Sequence, residues 1–486
     1  AITYTRNEWG EEIQRDMPGG IQSRWQRDKL GRPTQHAVNS GHTSIRNRTY
    51  SWGLDDRLLK AVDALKHQVH YQHDVLGNLT AAHYSDQADD VRLPDAVGNL
   101  FKTKSQRDRE YGSAGQLLAK HDKQGTTRYQ YDAEGNLIAK QEPNGKMWRY
   151  SWNGAGFLQQ VIRPDDTCVS FLYDALGRRI RKTYQGKITH WFWDGNNPLH
   201  EWVESVLTDI KPKNTPLYAA DISAATTPEL TPLQAQGPPK SSPITWVFDP
   251  ESFAPMGKMQ DEQFYPIVTD YLGAPVAMFD PDGRKIWSAD ISIWGALTQC
   301  KGERQACPFR WPGQYEDEET GLYYNRFRYY DPDAGIYVSQ DPIRLFSDTT
   351  NFYAYIPDPN IWIDPFGLAK AKCEVIVRRV NADEAAQMIK AKGLVQKPGS
   401  KSAKWVSVGR GQDTLKKKGH EKLVTMEVKP GTIDWLKKKG INFDDVAGEA
   451  SAPKNVLLKD NEAGAMGIGN DLLEEFNQRV TKVSST

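Results

Sequence analysis

The feature that most constrains the fold is a unit of about 20 residues that recurs from the start of the chain. Each unit has an alternating polar and apolar run, an Asp-x-x-Gly tetrapeptide and a second alternating run, as in RYQYDAEGNLIAK at 128–140. Asp tolerates the dihedral angles of a tight turn and Gly supplies a positive φ, so each unit predicts a β-hairpin. The aligned glycine position is occupied by Gly31, Asp56, Gly77, Gly98, Gly115, Gly135, Gly156 and Gly177.

The repetition predicts one continuous sheet, because a single hairpin cannot bury its own apolar face. Tyr, Trp and Phe make up 10% of the chain, which suits half-exposed strands better than an apolar helical bundle. Four cysteines without a Cys-x-x-Cys pair exclude a disulfide scaffold. No apolar run approaches the ~20 residues of a membrane-spanning helix. The repeat is already under way near residue 1, so we expect the sequence to be part of a longer chain.

The charge of the chain changes at position 369. Residues 369–486 contain 22 Lys and Arg against 15 Asp and Glu, whereas the whole chain has 62 of each. The part before residue 369 therefore carries a compensating acidic excess. This asymmetry predicts at least two units and permits a negatively charged partner for the basic tail.

The repeats are followed by long ordered segments that carry a resemblance. RWPGQYEDEETGLYYNRFRYYDPDAGIYVSQDPIRL at 310–345 and NFYAYIPDPNIWIDPFGL at 351–368 resemble the end of the core of Rhs proteins, and the repeats resemble the YD repeats of Rhs and teneurin-type proteins. The resemblance implies an all-β shell of spiralling hairpins around a small C-terminal toxin domain. The predicted units are YD repeats at 1–204, a flexible insertion rich in Pro, Ser, Thr and Ala at 205–243, a core-closing segment at 244–368 and the toxin domain at 369–486.

The end of the core-closing segment matches the self-cleavage motif of the family that it resembles. Pro359 is followed by four residues and then by Asp364, Pro365, Phe366, Gly367 and Leu368. The resemblance implies cleavage after Leu368 by the chain itself. Asp-Pro-x-Gly alone is more typical of a turn, and the preceding core-closing segment favours cleavage.

Cleavage by aspartates needs two carboxyl groups, one that donates a proton and one that is ionised. Asp364 is the predicted first carboxylate. Asp341 is the first choice for the second and Asp358 the alternative, with Arg344 as a candidate positioning cation.

The tail pattern predicts an α+β domain. Strands are predicted at CEVIVRRV, AKWVSVG, KLVTMEV and KNVLLKD, and helices at NADEAAQMIKAKG, GTIDWLKKKG and DLLEEFNQRV. The glycines of GAMGIG are expected to let the backbone turn beside Glu462. One histidine and one cysteine are too few for a His-rich metal nuclease, and a zinc deaminase would need Cys-x-x-Cys, so no metal is expected.

Three ordered positions in the tail suggest its chemistry. Arg378 or Arg379 ends the first strand, Ser407 lies on an aromatic-flanked strand, and Glu462 precedes a glycine-rich stretch, with Glu449 as a competitor for the acidic position. This order resembles the Arg–Ser–Glu type of NAD-dependent ADP-ribosyltransferase toxins.

The resemblance implies NAD as the substrate of the tail. The arginine would bind the pyrophosphate, Ser407 would hold the nicotinamide side with Trp405 or Trp435 as a stacking surface, and the glutamate would stabilise the charge that develops as nicotinamide leaves. A Ser-Thr-Ser run and a Glu-x-Glu or Gln-x-Glu pair are missing, which leaves the modified target open.

Other functions remain open for the chain. The basic tail also fits a metal-independent ribonuclease with His420 and Glu449 or Glu462 as acid and base. A protease built from Cys373 and His420 is a weaker alternative. A third interpretation is a non-enzymatic surface protein whose repeats bind carbohydrate.

The Rhs resemblance also implies partners and a route. It implies synthesis in the cytoplasm and delivery into a neighbouring bacterium, commonly by a type VI secretion machine with its spike and chaperone proteins. It further implies a cognate immunity protein and a protein or RNA target in the recipient cytoplasm.

Overall fold

The computed structural model describes residues 1–7, 11–53, 55–205, 241–249, 252–343 and 351–368, and beyond these the backbone of seven strands between 374 and 485. Within the described part, no helix is both long and apolar enough to cross a membrane. Two short 3-10 turns, Pro18–Gly20 and Arg304–Ala306, accompany the strands.

The first sheet contains nine antiparallel strands in chain order, each paired with its neighbours in sequence. They are β1 Thr3–Arg6, β2 Glu12–Met17, β3 Ile21–Arg27, β4 Pro33–Ser40, β5 Thr43–Trp52, β6 Leu58–Val62, β7 Gln68–His73, β8 Leu79–Tyr84 and β9 Asp90–Val91. A two-stranded ladder follows, formed by β10 Leu93–Pro94 and β11 Leu100–Phe101.

The second large sheet contains sixteen strands, again in chain order. They are β12 Arg109–Tyr111, β13 Leu117–Asp122, β14 Gly125–Tyr131, β15 Leu137–Gln141, β16 Met147–Trp152, β17 Leu158–Ile162, β18 Cys168–Tyr173, β19 Arg179–Tyr184, β20 Lys187–Asp194, β21 Asn197–Ser205, β22 Ile244–Phe248, β23 Pro255–Gln260, β24 Gln263–Thr269, β25 Pro275–Phe279, β26 Lys285–Ile291 and β27 Leu297–Lys301. Glu201 of β21 pairs directly with Ile244 of β22, so the sheet is continuous on the two sides of 206–240. Those residues lie outside the described part, and the predicted flexible insertion stays a prediction.

The Asp-x-x-Gly tetrapeptides form the predicted hairpin turns. Asp132 Oδ1 accepts hydrogen bonds from the amides of Glu134 (3.0 Å) and Asn136 (2.8 Å), and Gly135 has a φ of 82°. Asp56, the residue aligned with the glycines in one copy, also adopts a positive φ, of 61°. The same pair of side-chain hydrogen bonds occurs at Asp28, Asp74, Asp95, Asp174, Asp270 and Asp280. The aspartate therefore closes the turn with its side chain, and the hairpin prediction is confirmed.

A four-stranded sheet packs inside the larger ones. It is formed by β28 Tyr315–Asp317, β29 Leu322–Asn325, β30 Arg328–Asp331 and β31 Ile336–Tyr337, and every one of these residues is buried. The repeats contact it directly, since the hydroxyls of Tyr173 and Tyr329 lie 2.9 Å apart. Leu137 N also donates to the carbonyl of Val338, the residue after β31, at 2.9 Å. This inner sheet supplies three side chains of the candidate site described below, namely Asn325, Arg328 and Tyr337.

A buried ion cluster joins the repeats to the inner sheet. The Asp317 carboxylate is completely buried and accepts from the Arg179 guanidinium and from Lys182 Nζ at 3.2 Å. The Arg179 guanidinium also lies 4.4 Å from the ring centroid of Trp191, and Lys182 has a second partner in Glu319 at 2.8 Å. Asp317 is therefore the carboxylate that balances Arg179.

Asp317→Asn is expected to lower the free energy of unfolding by about 3–5 kcal/mol, because it leaves Arg179 charged in a buried site. The measurement is the urea midpoint followed by tryptophan fluorescence. Asp282→Asn serves as the control, since Asp282 is exposed and pairs with the exposed Arg284. An equal midpoint for the two variants would contradict the expectation.

His36 gives the repeats a pH dependence. It is fully buried, stacks on Trp25 with ring centroids 3.7 Å apart and contacts Ser23 Oγ at 2.9 Å. Burial, followed by the positive charges of Arg46 and Arg15, holds the pKa of His36 well below its ordinary value of 6.5.

The unfolded chain therefore binds a proton at His36 below about pH 6.5 that the folded chain excludes, and stability falls as the pH falls. The slope from this residue is at most about 1.4 kcal/mol per pH unit. Urea midpoints of the wild type and His36→Gln between pH 7.5 and pH 5 check this. Parallel pH profiles for the two proteins would exclude His36 as the cause.

The described tail strands form a seven-stranded sheet in the order β35-β36-β37-β33-β32-β34-β38. All neighbours are antiparallel except the parallel pair of β35 and β36. The strands are β32 Glu374–Val380, β33 Lys404–Val408, β34 Lys422–Val428, β35 Gly440–Asn442, β36 Val456–Leu458, β37 Ala465–Ile468 and β38 Val480–Ser485.

Four of these strands were predicted, and three others correct the sequence analysis. GAMGIG was expected to turn, but its residues 465–468 form β37, where Gly467 pairs with Trp405. Val480 was placed at the end of the last helix and instead begins β38, while β35 was not predicted. β35 and β37 are only three and four residues long and each contains a glycine, so their periodic signal is weak. Gly440, the last residue of the predicted helix at 431–440, instead begins β35. Apart from Gly440 and Val480, the predicted helices lie outside the described residues.

Candidate active site

Asp364 is buried at the start of the turn Asp364–Gly367. Its Oδ1 accepts the amide of Leu368 at 2.9 Å, and its Oδ2 accepts the hydroxyl of Tyr337 at 2.8 Å. The bond to the amide four residues later is the one that also closes the repeat turns. Here the carboxylate holds the residue that precedes the predicted cleavage point.

Arg328 of β30 brings two carboxylates to one place. Its Nη2 lies 3.1 Å from Asp341 Oδ2 and 3.4 Å from Asp364 Oδ2, and its Nε donates to the carbonyl of Gly367. The carbonyl of Gly367 and the amide of Leu368 belong to the same peptide group. That group is therefore held at both polar ends, by Arg328 and by Asp364.

Two neutral side chains complete the surroundings of Asp364. Asn325 Nδ2 donates to the Asp364 carbonyl at 2.9 Å and to Tyr337 Oη at 2.8 Å. Burial and then the nearby charge of Asp364 raise the pKa of Tyr337 well above its ordinary value, so its hydroxyl stays a donor. The Arg328 guanidinium lies 3.6 Å from the centroid of the Tyr337 ring.

The structure separates the two candidates for the second carboxylate. Asp341 shares the Arg328 nitrogen with Asp364, whereas the buried Asp358 carboxylate contacts His73 Nε2 at 2.8 Å and the amide of Asn360 at 2.9 Å. Pro365 and Gly367 form the turn itself, and Arg344 lies outside the described residues.

Sequence reasoning missed Arg328, Tyr337 and Asn325. They belong to an aromatic-rich run in which every strand residue is buried, so the alternation that marks one face of a strand is absent. The signal that could have found them is the charge of Arg328 within this aromatic-rich run. An arginine that is buried requires a charged or polar partner.

The arrangement has the parts for acid–base cleavage of a peptide bond. The Arg328 guanidinium holds the two carboxyl groups close together, and at such a distance one of them can keep a proton while the other is ionised. Among the described residues, no group of three or more His, Cys, Asp or Glu side chains is arranged to hold a metal ion.

The segment before Asp364 is anchored by repeats that are distant in sequence. Arg92 donates to the carbonyls of Ile356 and Pro357, the latter at 2.7 Å, and Leu79 N donates to Pro357 O at 3.1 Å. The pair of His73 and Asp358 adds a buried contact to the same segment. We call this set of contacts the repeat anchor.

The register of the tail sheet relates two of the three predicted tail positions. Val377 of β32 pairs directly with Ser407 of β33, so Arg379, two residues further along, lies on the same face as Ser407, and Arg378 lies on the opposite face. Ser407 also pairs with Ala465, the first residue of β37, three positions after Glu462. Trp405 lies on β33. The remaining predicted tail positions lie outside the described residues, namely Glu449, Glu462, His420, Trp435 and Cys373.

Several proteins of known name resemble this chain. RhsA of Dickeya dadantii, described as a probable deoxyribonuclease, is 28% identical over 434 residues, which are 81% of this chain and 27% of that protein. The double-stranded DNA deaminase toxin A of Burkholderia cenocepacia is 27% identical over 75% of this chain and 26% of its own length. The toxin protein Tse5 of Pseudomonas aeruginosa is 31% identical over 72% of this chain and 27% of its own length.

These relatives are much longer than the chain, which spans about a quarter of the length of each of them. A solved structure of the Photorhabdus luminescens Tc holotoxin pore covers 76% of this chain and 21% of its own, with 16% identity and a TM-score of 0.39. The family model described as Teneurin YD-shell matches residues 6–201 and 244–360, which are most of the region before the tail. The repeated hairpins and this match agree, and the chain belongs to the Teneurin YD-shell family.

Proposed function

We propose that this chain is the C-terminal part of an interbacterial toxin whose YD-repeat region releases residues 369–486 by cutting its own backbone after Leu368. The observation that carries the proposal is the peptide group between Gly367 and Leu368. It is held by Arg328 and Asp364 while Asp341 lies on the same guanidinium. Asp364 contacts the amide of Leu368, the residue that would supply the scissile carbonyl, and Asp341 contacts the same Arg328 nitrogen as Asp364.

In the proposed reaction the two carboxyl groups divide the proton transfers. Asp364 is the base, because the Leu368 amide, the Tyr337 hydroxyl and Arg328 all stabilise its negative charge. It takes a proton from a water that attacks the Leu368 carbonyl carbon. Asp341 in its neutral form donates a proton to the leaving nitrogen as the bond to Ala369 breaks. The products are a carboxyl group on Leu368 and an amino group on Ala369.

The relatives support an antibacterial toxin. Two of the three reported above are named as toxins and the third as a probable nuclease. Because the chain covers only about a quarter of each, delivery into a neighbouring cell, secretion-machine partners and a cognate immunity protein are part of the proposal.

Expression of the chain and intact-mass analysis test the release. The expected result is two polypeptides, 1–368 and 369–486, with Ala369 as the new amino terminus. A chain that stays whole in folded protein, or a fragment that begins at another residue, would contradict the proposal.

We further propose that the released tail is an NAD-dependent ADP-ribosyltransferase. The supporting observation is the neighbouring position of β32, β33 and β37, which brings Arg379 and Ser407 to one face and starts β37 opposite Ser407. Glu462 immediately precedes β37 in sequence. Arginine, serine and glutamate would then act on the pyrophosphate, the nicotinamide side and the ribose of one NAD molecule.

A ribonuclease is the alternative enzyme for the tail. The name of RhsA, a probable deoxyribonuclease, favours nucleic-acid chemistry among relatives of this chain, and the tail carries an excess of basic residues. Release of nicotinamide from NAD by the purified tail, compared with its cleavage of RNA, separates the two enzymes.

A further inference from the structure

Phe366, the variable position of the Asp-Pro-x-Gly turn, contacts an aromatic cavity in the wall of the repeat region. Its ring meets that of Phe253 edge to face, with centroids 5.2 Å apart and an angle of 85° between the planes. Its carbonyl accepts the amide of Phe327 at 3.2 Å. The side chain and the backbone of position 366 are therefore both fixed by the surrounding protein.

The cavity is built by parts of the chain that are distant from the turn. Its walls include Trp191 and Trp193 of β20, Phe248 of β22 and Trp311 ahead of β28. The free volume is about 30 Å³, enough for one water. The half-buried Phe366 ring forms part of the wall, and with it in place the cavity has no room for a second aromatic side chain.

Two features distinguish this cavity from ordinary core. Gln314 is 1% exposed and lines it, yet neither of its side-chain polar atoms has a partner in the described part of the chain. An unpaired buried amide is unfavourable. Gly313, also in the wall, has a φ of 86°, and a Cβ there would come within 2.1 Å of the Pro365 carbonyl. The glycine lets the wall touch the backbone of the turn.

We infer that this cavity is the subsite that positions the cleavage turn by binding the side chain at position 366, and that it selects a large, planar, apolar side chain there. The inference rests on the proposed cleavage after Leu368. Gly313 and the cavity hold the turn at Pro365 and Phe366, while Arg328 and Asp364 hold it at Gly367 and Leu368. Phe366 acts through the position of the backbone and is a positioning residue.

The test is a time course of cleavage during cell-free synthesis, with the fraction cut after Leu368 measured by gel and by mass. Phe366→Ala is expected to slow cleavage by about 100-fold, since a displacement of ~1 Å near reacting atoms has an effect of that size. Phe366→Tyr is expected to stay within about threefold of the wild type, because the ring is retained. Phe192→Ala, at an exposed phenylalanine of β20, is the matched control and is expected to be cut normally.

Two further readouts separate positioning from a general loss of structure. Benzene, which binds engineered apolar cavities, is expected to restore part of the rate of Phe366→Ala. The pH profile of that variant should keep its shape at a lower rate, since both carboxylates remain. If Phe366→Ala is cut at the wild-type rate, or slows only in proportion to a loss of folded protein, the inference is wrong. A folded wild-type chain that is never cut would instead refute the proposed cleavage itself.

Discussion

Asp364→Asn is expected to leave the chain as a single 55.0 kDa polypeptide on a denaturing gel, where the wild type gives two products. Asparagine keeps the shape of the side chain and an oxygen that accepts the Leu368 amide, but it cannot take a proton from water. Loss of such a group typically reduces the rate by at least ~100-fold. Intact mass after a fixed incubation of the folded protein measures the effect.

The two remaining aspartates give this experiment its internal comparison. Asp341→Asn should block release as Asp364→Asn does, because both carboxylates lie on Arg328 Nη2. Asp358→Asn should still be cut, because Asp358 contacts His73. Release of a 118-residue tail by Asp364→Asn would show that the assignment is wrong. If Asp358→Asn blocks release while Asp341→Asn is cut normally, Asp358 and not Asp341 is the second catalytic carboxyl group.

The purified tail is expected to release nicotinamide from NAD, and Arg379→Lys should lower that rate by ~100-fold or more, as for loss of a preorganised donor to a developing charge. Lysine keeps the charge but loses the planar two-pronged contact with a pyrophosphate. Arg378→Lys is the matched control, because the register places Arg378 on the opposite face of β32 from Ser407. Chromatography of the nicotinamide product gives the rates.

Other results would favour the other functions. No consumption of NAD together with cleavage of transfer or ribosomal RNA would make the tail a ribonuclease. Failure of the tail to inhibit growth when it is made inside a bacterium would favour a carbohydrate-binding surface protein. Equal rates for Arg379→Lys and Arg378→Lys would show that the two faces of β32 do not differ in their effect on catalysis, even if NAD is consumed.

The repeat region was predictable because its information is local. Each hairpin is specified by an aspartate and a residue with positive φ three positions apart, as at Asp132 and Gly135, and by alternation on either side. The Asp364 segment was located by its match to the cleavage motif of the family that it resembles. The surroundings of Asp364 were not predictable in this way, since Arg328 and Tyr337 reach it across 36 and 27 positions.

The tail shows which strands can be recognised from the sequence and which cannot. Strands rich in β-branched residues, such as β32 and β34, were recognised from their composition, whereas β37 contains a glycine and was taken for a turn. Its place in the sheet depends on pairing with β33 and β36, and pairing partners are not encoded within a short window.

The repeat anchor has a consequence for when the proposed cleavage can occur. His73 and Asp358 are separated by 285 positions, so a ribosome completes almost the whole repeat region before this contact can form. At typical synthesis rates of 5–20 residues per second, the 118 residues after Leu368 take roughly 6–24 s to add. If docking of residues 356–358 onto the repeats takes longer than this interval, the tail is finished before its bond to the repeats is cut. Cleavage after Leu368 would then follow the synthesis of residues 369–486.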